Sequence, residues 1–120
     1  MNTLGKAGER AAVCKLCAKG YRILARNFSC RFGEIDIIAF KDDTVVFVEV
    51  KTRGRNSVAS PGESVTASKQ KKIILTAIHY INYNRLENID IRFDVIEVEM
   101  YGIHCKINHI ENAFDAEGFF

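Results

Sequence analysis

Two neighbouring stretches of this chain are almost too apolar for the charges they carry: Ile35-Asp36-Ile37-Ile38-Ala39 and Val45-Val46-Phe47-Val48-Glu49-Val50-Lys51. Near-continuous apolar runs of this length, rich in β-branched residues, are the mark of strands buried on both faces. The turn Lys41-Asp42-Asp43 joins a strand at 34–40 to a strand at 44–51. So short a connection makes the two an antiparallel hairpin. A sheet covered on both faces needs helices above and below, which restricts the chain to a layered α/β domain.

The rest of the sequence supplies those layers. Ala12, Val13 and Leu16 recur at helical spacing in 3–19, and Gly20 stops that helix. Residues 21–28 read as a strand and 29–33 as a polar loop. Residues 54–62, with Gly, Asn, Ser and the only proline, read as a mobile loop. A second helix is expected over 66–84, with Thr66 as N-cap and Ile73, Ile74, Ala77, Ile78 and Ile81 on its buried face. A fourth strand follows at 89–99, Gly102 marks a turn, and 104–110 reads as a fifth strand. The expectation is one mixed sheet flanked by two main helices, a single domain over 1–110, and a weakly structured tail over 111–120. With 120 residues, 48% of them hydrophobic, the chain can bury a core without disulfides or a structural metal. The first ten residues hold no apolar signal segment, and no run is long enough to span a bilayer. A soluble, cytoplasmic protein with reduced cysteines and no membrane association is expected.

Strand alternation puts Val45, Phe47, Glu49 and Lys51 on one face of the third strand, and Glu34, Asp36 and Ile38 on one face of the second. The hairpin can then bring Asp36 to Glu49. Two carboxylates offer hard oxygen ligands to Mg²⁺, or to Mn²⁺ in its place. Such an ion makes a bound water more nucleophilic and shields phosphate charge, and a lysine beside it can steady developing charge. The chemistry implied is phosphodiester hydrolysis. The competing interpretation is a cross-strand salt bridge on a solvated face, common for an isolated Glu-x-Lys. The apolar surroundings weigh against it, because buried charges need partners or a metal. Glu9 stands at helical spacing with Ala12, Val13 and Leu16, so it faces the sheet. It is either a first-turn residue reaching out to water or a third acid at the same site.

Charge distribution adds to this. The net charge is only +2, but residues 51–72 hold six basic residues and one acid, a local +5. A polyanion would feel that concentration beside the carboxylates. Arg53 and Arg55 can reach phosphates from the loop, although a solvated loop accounts for them nearly as well. Lys69, Lys71 and Lys72 crowd the start of a helix, where the dipole disfavours cations. Asp94, in an apolar strand, has no assigned role beyond ordering its neighbours. Cys14-x-x-Cys17 lies mid-helix without the converging partners of a zinc site, and the three histidines show no ligand pattern.

Taken together, Gly8-Glu9-x-x-Ala12, Gly20-Tyr21, Arg26-Asn27, residues 33–39, Phe47-Val48-Glu49-Val50-Lys51-Thr52-Arg53, Lys69 and Arg92-Phe93-Asp94 resemble the YraN-like family of bacterial proteins. That family is grouped with the PD-(D/E)XK nucleases and is similar to archaeal Holliday junction resolvases. The resemblance spans residues 4–99. It implies a restriction-endonuclease-like core, Mg²⁺ dependence, a DNA substrate and a homodimer. It also implies roles: Asp36, Glu49 and the Val50 carbonyl as metal ligands, Lys51 as the catalytic lysine, Glu9 as the helical glutamate of the resolvase-like branch, and Lys69 as a nucleic-acid contact. Ile35 replaces the proline of the motif's name, which removes no ligand. Two further possibilities stay open: a nucleic-acid-binding module with this fold but no useful turnover, and a protein-interaction domain.

Overall fold

The computed structural model describes residues 3–54 and 65–117. The elements run α1 (Thr3–Ala18), β1 (Arg22–Cys30), β2 (Gly33–Lys41), β3 (Thr44–Arg53), α2 (Ala67–Tyr83), β4 (Asp90–Tyr101) and β5 (His104–Phe114). The five strands form one sheet in sequential order. All neighbours are antiparallel except β3 and β4, which run parallel because α2 carries the chain back between them. This is the expected mixed sheet with two helices, an α/β fold with which a restriction-endonuclease-like arrangement is consistent.

The apolar strands are sandwiched as their sequence requires. Ala12 and Leu16 of α1 cover Ile37, Ala39, Val46, Val48, Ile96 and Val98. Ile73, Ile74 and Ala77 of α2 cover the other face, against Ile35, Ile38, Val45, Phe47, Phe93 and Val95. The β2–β3 hairpin turns on Asp42 and Asp43, both left-handed (φ 50° and 57°), the conformation a two-residue hairpin demands. Thr66 caps α2 by accepting from the Lys69 backbone N–H at 3.2 Å. One position shows why α1 sits where it does. A Cβ on Gly8 would lie 1.9 Å from Thr52 Oγ1, so only glycine allows the helix to touch β3 there.

Three sequence expectations change. The 29–33 loop is a two-residue turn at Arg31 and Phe32, because Cys30 and Gly33 still pair. The fifth strand runs past Ile110 to Phe114, whose ring stacks on Phe93 with centroids 5.1 Å apart. Its polar outer residues hide this from a hydrophobic pattern. Last, β2 does not alternate cleanly: Ile35 joins the α2 core and Ile37 the α1 core, although strand period places them on one face. The break falls on Asp36. Opposite it in β1 stands Asn27, left-handed at φ 52°. The expected 54–62 loop lies, beyond Gly54, outside the described residues.

Candidate active site

The β2–β3 ladder runs from Lys41↔Thr44 to Ile37↔Val48 and ends there. One more step would pair Asp36 with Glu49. Beyond that point Val50 N–H has lost its ladder partner, and it donates instead to Asp36 Oδ2 at 2.8 Å. The carboxylate thus fills the opening between two separating strands. In an extended strand the N–H and C=O of one residue point to the same side, so the Val50 carbonyl faces this opening too.

The opening is a recess of about 230 Å³ lined by Leu4, Gly5, Glu9, Asp36, Glu49, Val50 and Thr52. Glu9 enters from α1, next to the Gly8–Thr52 contact that presses the helix onto β3. Three acids from three elements therefore share one small space, and the sequence expectation that Glu9 faces the sheet is met. The Glu9 side chain does not turn out to water, because its Oε1 is buried.

The electrostatics show the strain of this arrangement. Burial, then the charge of Asp36, pushes the Glu49 carboxyl up to about 7, although Lys69 and Lys51 pull the other way. Burial and Asp36 also raise Glu9, opposed by Arg26 and a hydrogen bond from Asn27. Glu9 Oε1 is buried without any hydrogen-bond partner. Such an oxygen costs desolvation free energy unless a donor or a cation is supplied. An electron-rich, under-satisfied set of hard oxygens fits a Mg²⁺ or Mn²⁺ ion with its waters.

Basic groups border the recess. Lys69 Nζ, at the start of α2, lies 3.8 Å from Glu49 Oε1 and its side chain is half exposed. Lys51 follows Glu49 on the same strand face and acts on its charge. Arg53 is placed differently from a free phosphate contact. Its guanidinium lies 3.8 Å from Glu97 Oε2, and the two side chains are only 10% and 9% exposed. Arg55 lies outside the described residues. A third set of cations, Lys6, Arg10 and Arg26, lines a recess of about 330 Å³ on the outer side of Glu9.

Sequence reasoning missed a second polar centre. Asp94 is fully buried on the α1 side of β4. Arg92 Nε and Nη2 donate to its two oxygens at 2.9 and 2.8 Å. His109 Nε2 lies 2.7 Å from Oδ2, and Asn112 N–H donates to Oδ1 at 3.0 Å. Tyr21 and Glu111 extend the network. Asp94, His109 and Glu111 have ligand atoms within 4.8 Å of one another and could hold a metal ion. The three recess acids do not close to that spacing. Yet Asp94 already accepts from four donors, so its charge is satisfied, whereas Glu9 is not. An acid in an apolar strand was the one sequence signal, and His109, in the unexpectedly long β5, completes it. Cys14, Cys17, Cys30 and Cys105 are free thiols that join no such group among the described residues.

The model of the uncharacterised protein family UPF0102 matches residues 8–98, which include Glu9, Asp36, Glu49, Val50 and Thr52 of the recess, most of α1 and all of α2. A UPF0102 protein of Clostridioides difficile is 51% identical over 110 residues, 92% of this chain and 95% of that protein. One from Alkaliphilus oremlandii is 50% identical, covering 92% and 97%. Another, from Myxococcus xanthus, is 44% identical, covering 93% and 89%. The resemblance to the YraN-like family drawn from the sequence is a resemblance to these proteins.

Proposed function

We propose that this chain, which belongs to the UPF0102 family, is a metal-dependent endonuclease of the PD-(D/E)XK type that hydrolyses DNA phosphodiester bonds. The observation that carries the reading is the gathering of Glu9, Asp36 and Glu49 in one recess, with one buried oxygen unpartnered and one carboxyl raised to about 7. A salt-bridged surface would show the opposite: exposed carboxylates with ordinary acidity.

Asp36, Glu49 and the Val50 carbonyl would hold the ion, and Glu9 would meet it directly or through water. A bound Mg²⁺ supplies charge neutralisation at the phosphate and a more acidic water. The residues do the remainder. Asp36 keeps β3 in place through the Val50 N–H, fixing where Glu49 and Lys51 stand. Lys51 donates to the phosphoryl oxygens as charge builds on them. Lys69 holds Glu49 by charge and offers a phosphate contact at the rim. Hydrolysis breaks one P–O ester bond, leaving a phosphate monoester and a hydroxyl.

The test presents labelled single-stranded, duplex, flap and four-way DNA to the full chain in Mg²⁺ or Mn²⁺. The reading expects cleavage of at least one substrate and its loss with Asp36→Ala. DNA bound tightly but never cut in either metal would leave a binding module in its place. No metal uptake at all would leave a structural or protein-interaction role.

A further inference from the structure

The exposed side of α2 carries features that the recess does not use. Lys69, Lys72, Thr76, His79 and Tyr83 follow one another at three- and four-residue steps along one line of the helix, exposed at both ends and buried at Thr76. Thr76, in the middle, is buried where Gly33 crosses it at the end of the β1–β2 turn: a Cβ on Gly33 would lie 3.3 Å from Thr76 Oγ1. Below that crossing the turn and the helix bound a groove of about 500 Å³, with Arg31 and Phe32 on one wall and His79 and Tyr83 on the other. The line begins at Lys69, which touches Glu49, and ends at Tyr83, roughly 20 Å away at 1.5 Å per residue.

The chemistry of this track is specific. Tyr83 is 77% exposed, so most of its ring is open to a ligand. The His79 and Tyr83 rings lie within 16° of parallel, with centroids 6.4 Å apart, and the Phe32 ring stands 6.4 Å from His79. The Arg31 guanidinium lies over Phe32 at 4.8 Å. No acidic residue occurs anywhere in α2, whereas Lys69, Lys71 and Lys72 all do. Cations beside exposed ring faces are what single-stranded nucleic acid uses: phosphates meet the charges and bases stack on the rings. A second copy of this chain fits less well. A twofold contact on this face would press two positively charged surfaces, each carrying Arg31 and the α2 lysines, against one another.

We propose that the groove binds a single-stranded stretch of DNA, whose continuation passes over the Gly33 crossing to Lys72, Lys69 and the recess. Lys69 and Lys72 would contact its phosphates, while His79 and Tyr83 would stack on its bases. The path to a cleavage site rests on the nuclease reading; the binding itself does not. It makes DNA with a single-stranded arm the preferred substrate class.

The test measures fluorescence anisotropy of a labelled oligothymidylate and of a labelled duplex with the full chain in EDTA, where no cleavage can occur. The single strand is expected to bind more tightly. Tyr83→Ala and His79→Ala should each weaken it about 5- to 100-fold, the range found for loss of one stacked base. Tyr83→Phe, which keeps the ring, should stay within about twofold of wild type. Because Tyr83 is largely exposed, Tyr83→Ala should keep its melting temperature, so lost binding is not lost folding. Unchanged affinity in both alanine variants overturns the proposal, as does duplex bound as well as single strand. A dimer in sedimentation that Tyr83→Ala dissolves without altering oligonucleotide affinity also overturns it, in favour of a self-association face. Stacking-dependent binding without cleavage in metal would keep the groove and discard the nuclease. Cleavage with variant-independent binding would do the reverse.

Discussion

Glu49→Gln should make the metal-free protein more stable at neutral pH and above. In the folded chain, burial and then the charge of Asp36 raise the Glu49 carboxyl from an ordinary 4.5 to about 7. Between those values the folded state holds a proton that the unfolded state has released. Stability therefore falls as pH rises through that window, and the full loss is present above 7. At 1.36 kcal/mol per pH unit the span corresponds to about 3 kcal/mol, an upper figure because Asp36 and Glu49 share the charge. Glutamine removes the ionisation and still reaches Asp36. Urea unfolding in EDTA at pH 4.5, 6 and 8 reads the effect. The variant and wild type should be close at the lowest pH and separate progressively, with the variant ahead by up to about 3 kcal/mol at the highest. A stability difference that is the same at every pH would refute the reasoning, because it would mean that Glu49 ionises as freely in the folded chain as in the unfolded one.

Other consequences follow from the same geometry. Gly8→Ala drives a methyl into Thr52 and should cost about 1–3 kcal/mol by thermal unfolding. Thr52→Ala in the same chain should recover part of that loss. Asp94→Ala strips a half-buried Arg92 and a buried His109 of their shared acceptor and should cost about 3–5 kcal/mol at neutral pH. Although burial alone would raise Asp94, hydrogen bonds from His109, Arg92 and Asn112 hold it below 3.8. Its stabilisation is therefore present above that value and is lost as the solution is acidified further, so the Asp94→Ala deficit should shrink in acid denaturation. Mn²⁺ should raise the melting temperature of wild type and leave that of Asp36→Ala unmoved in differential scanning fluorimetry.

How much of this was legible beforehand depended on whether a residue's meaning is local. The sandwiched strands, the Asp42-Asp43 hairpin and the Thr66 cap follow from side chains and their immediate neighbours, and they stand where the sequence places them. So does the inward turn of Glu9, which needs only helical spacing. Asp36 was assigned to the right strand for an incomplete reason. Clean alternation was expected to aim it, whereas the strand breaks at Asp36, opposite a left-handed Asn27, and the carboxylate takes a backbone N–H that the ladder has abandoned. Arg53 appeared as a loop cation because Glu97 lies 44 positions away in sequence, and parallel pairing of β3 with β4 is what unites them. His109 and Asp94 met through β5, whose end lacks a hydrophobic period because its outer side faces water.

The account rests on one claim: the recess of Glu9, Asp36 and Glu49, with Lys51 at its border, cuts a phosphodiester bond with the help of a divalent ion. Nicking of supercoiled plasmid in Mn²⁺, followed for wild type, Asp36→Ala and Lys51→Ala alongside calorimetric Mn²⁺ binding, tests it most directly. Wild type should bind the ion and nick. Lys51→Ala should bind the ion and lose nicking by about 100-fold or more, the scale of one lost charge-stabilising donor. Asp36→Ala should do neither. Nicking that survives Asp36→Ala, or a wild type that binds Mn²⁺ at the recess and leaves every plasmid intact, would contradict it.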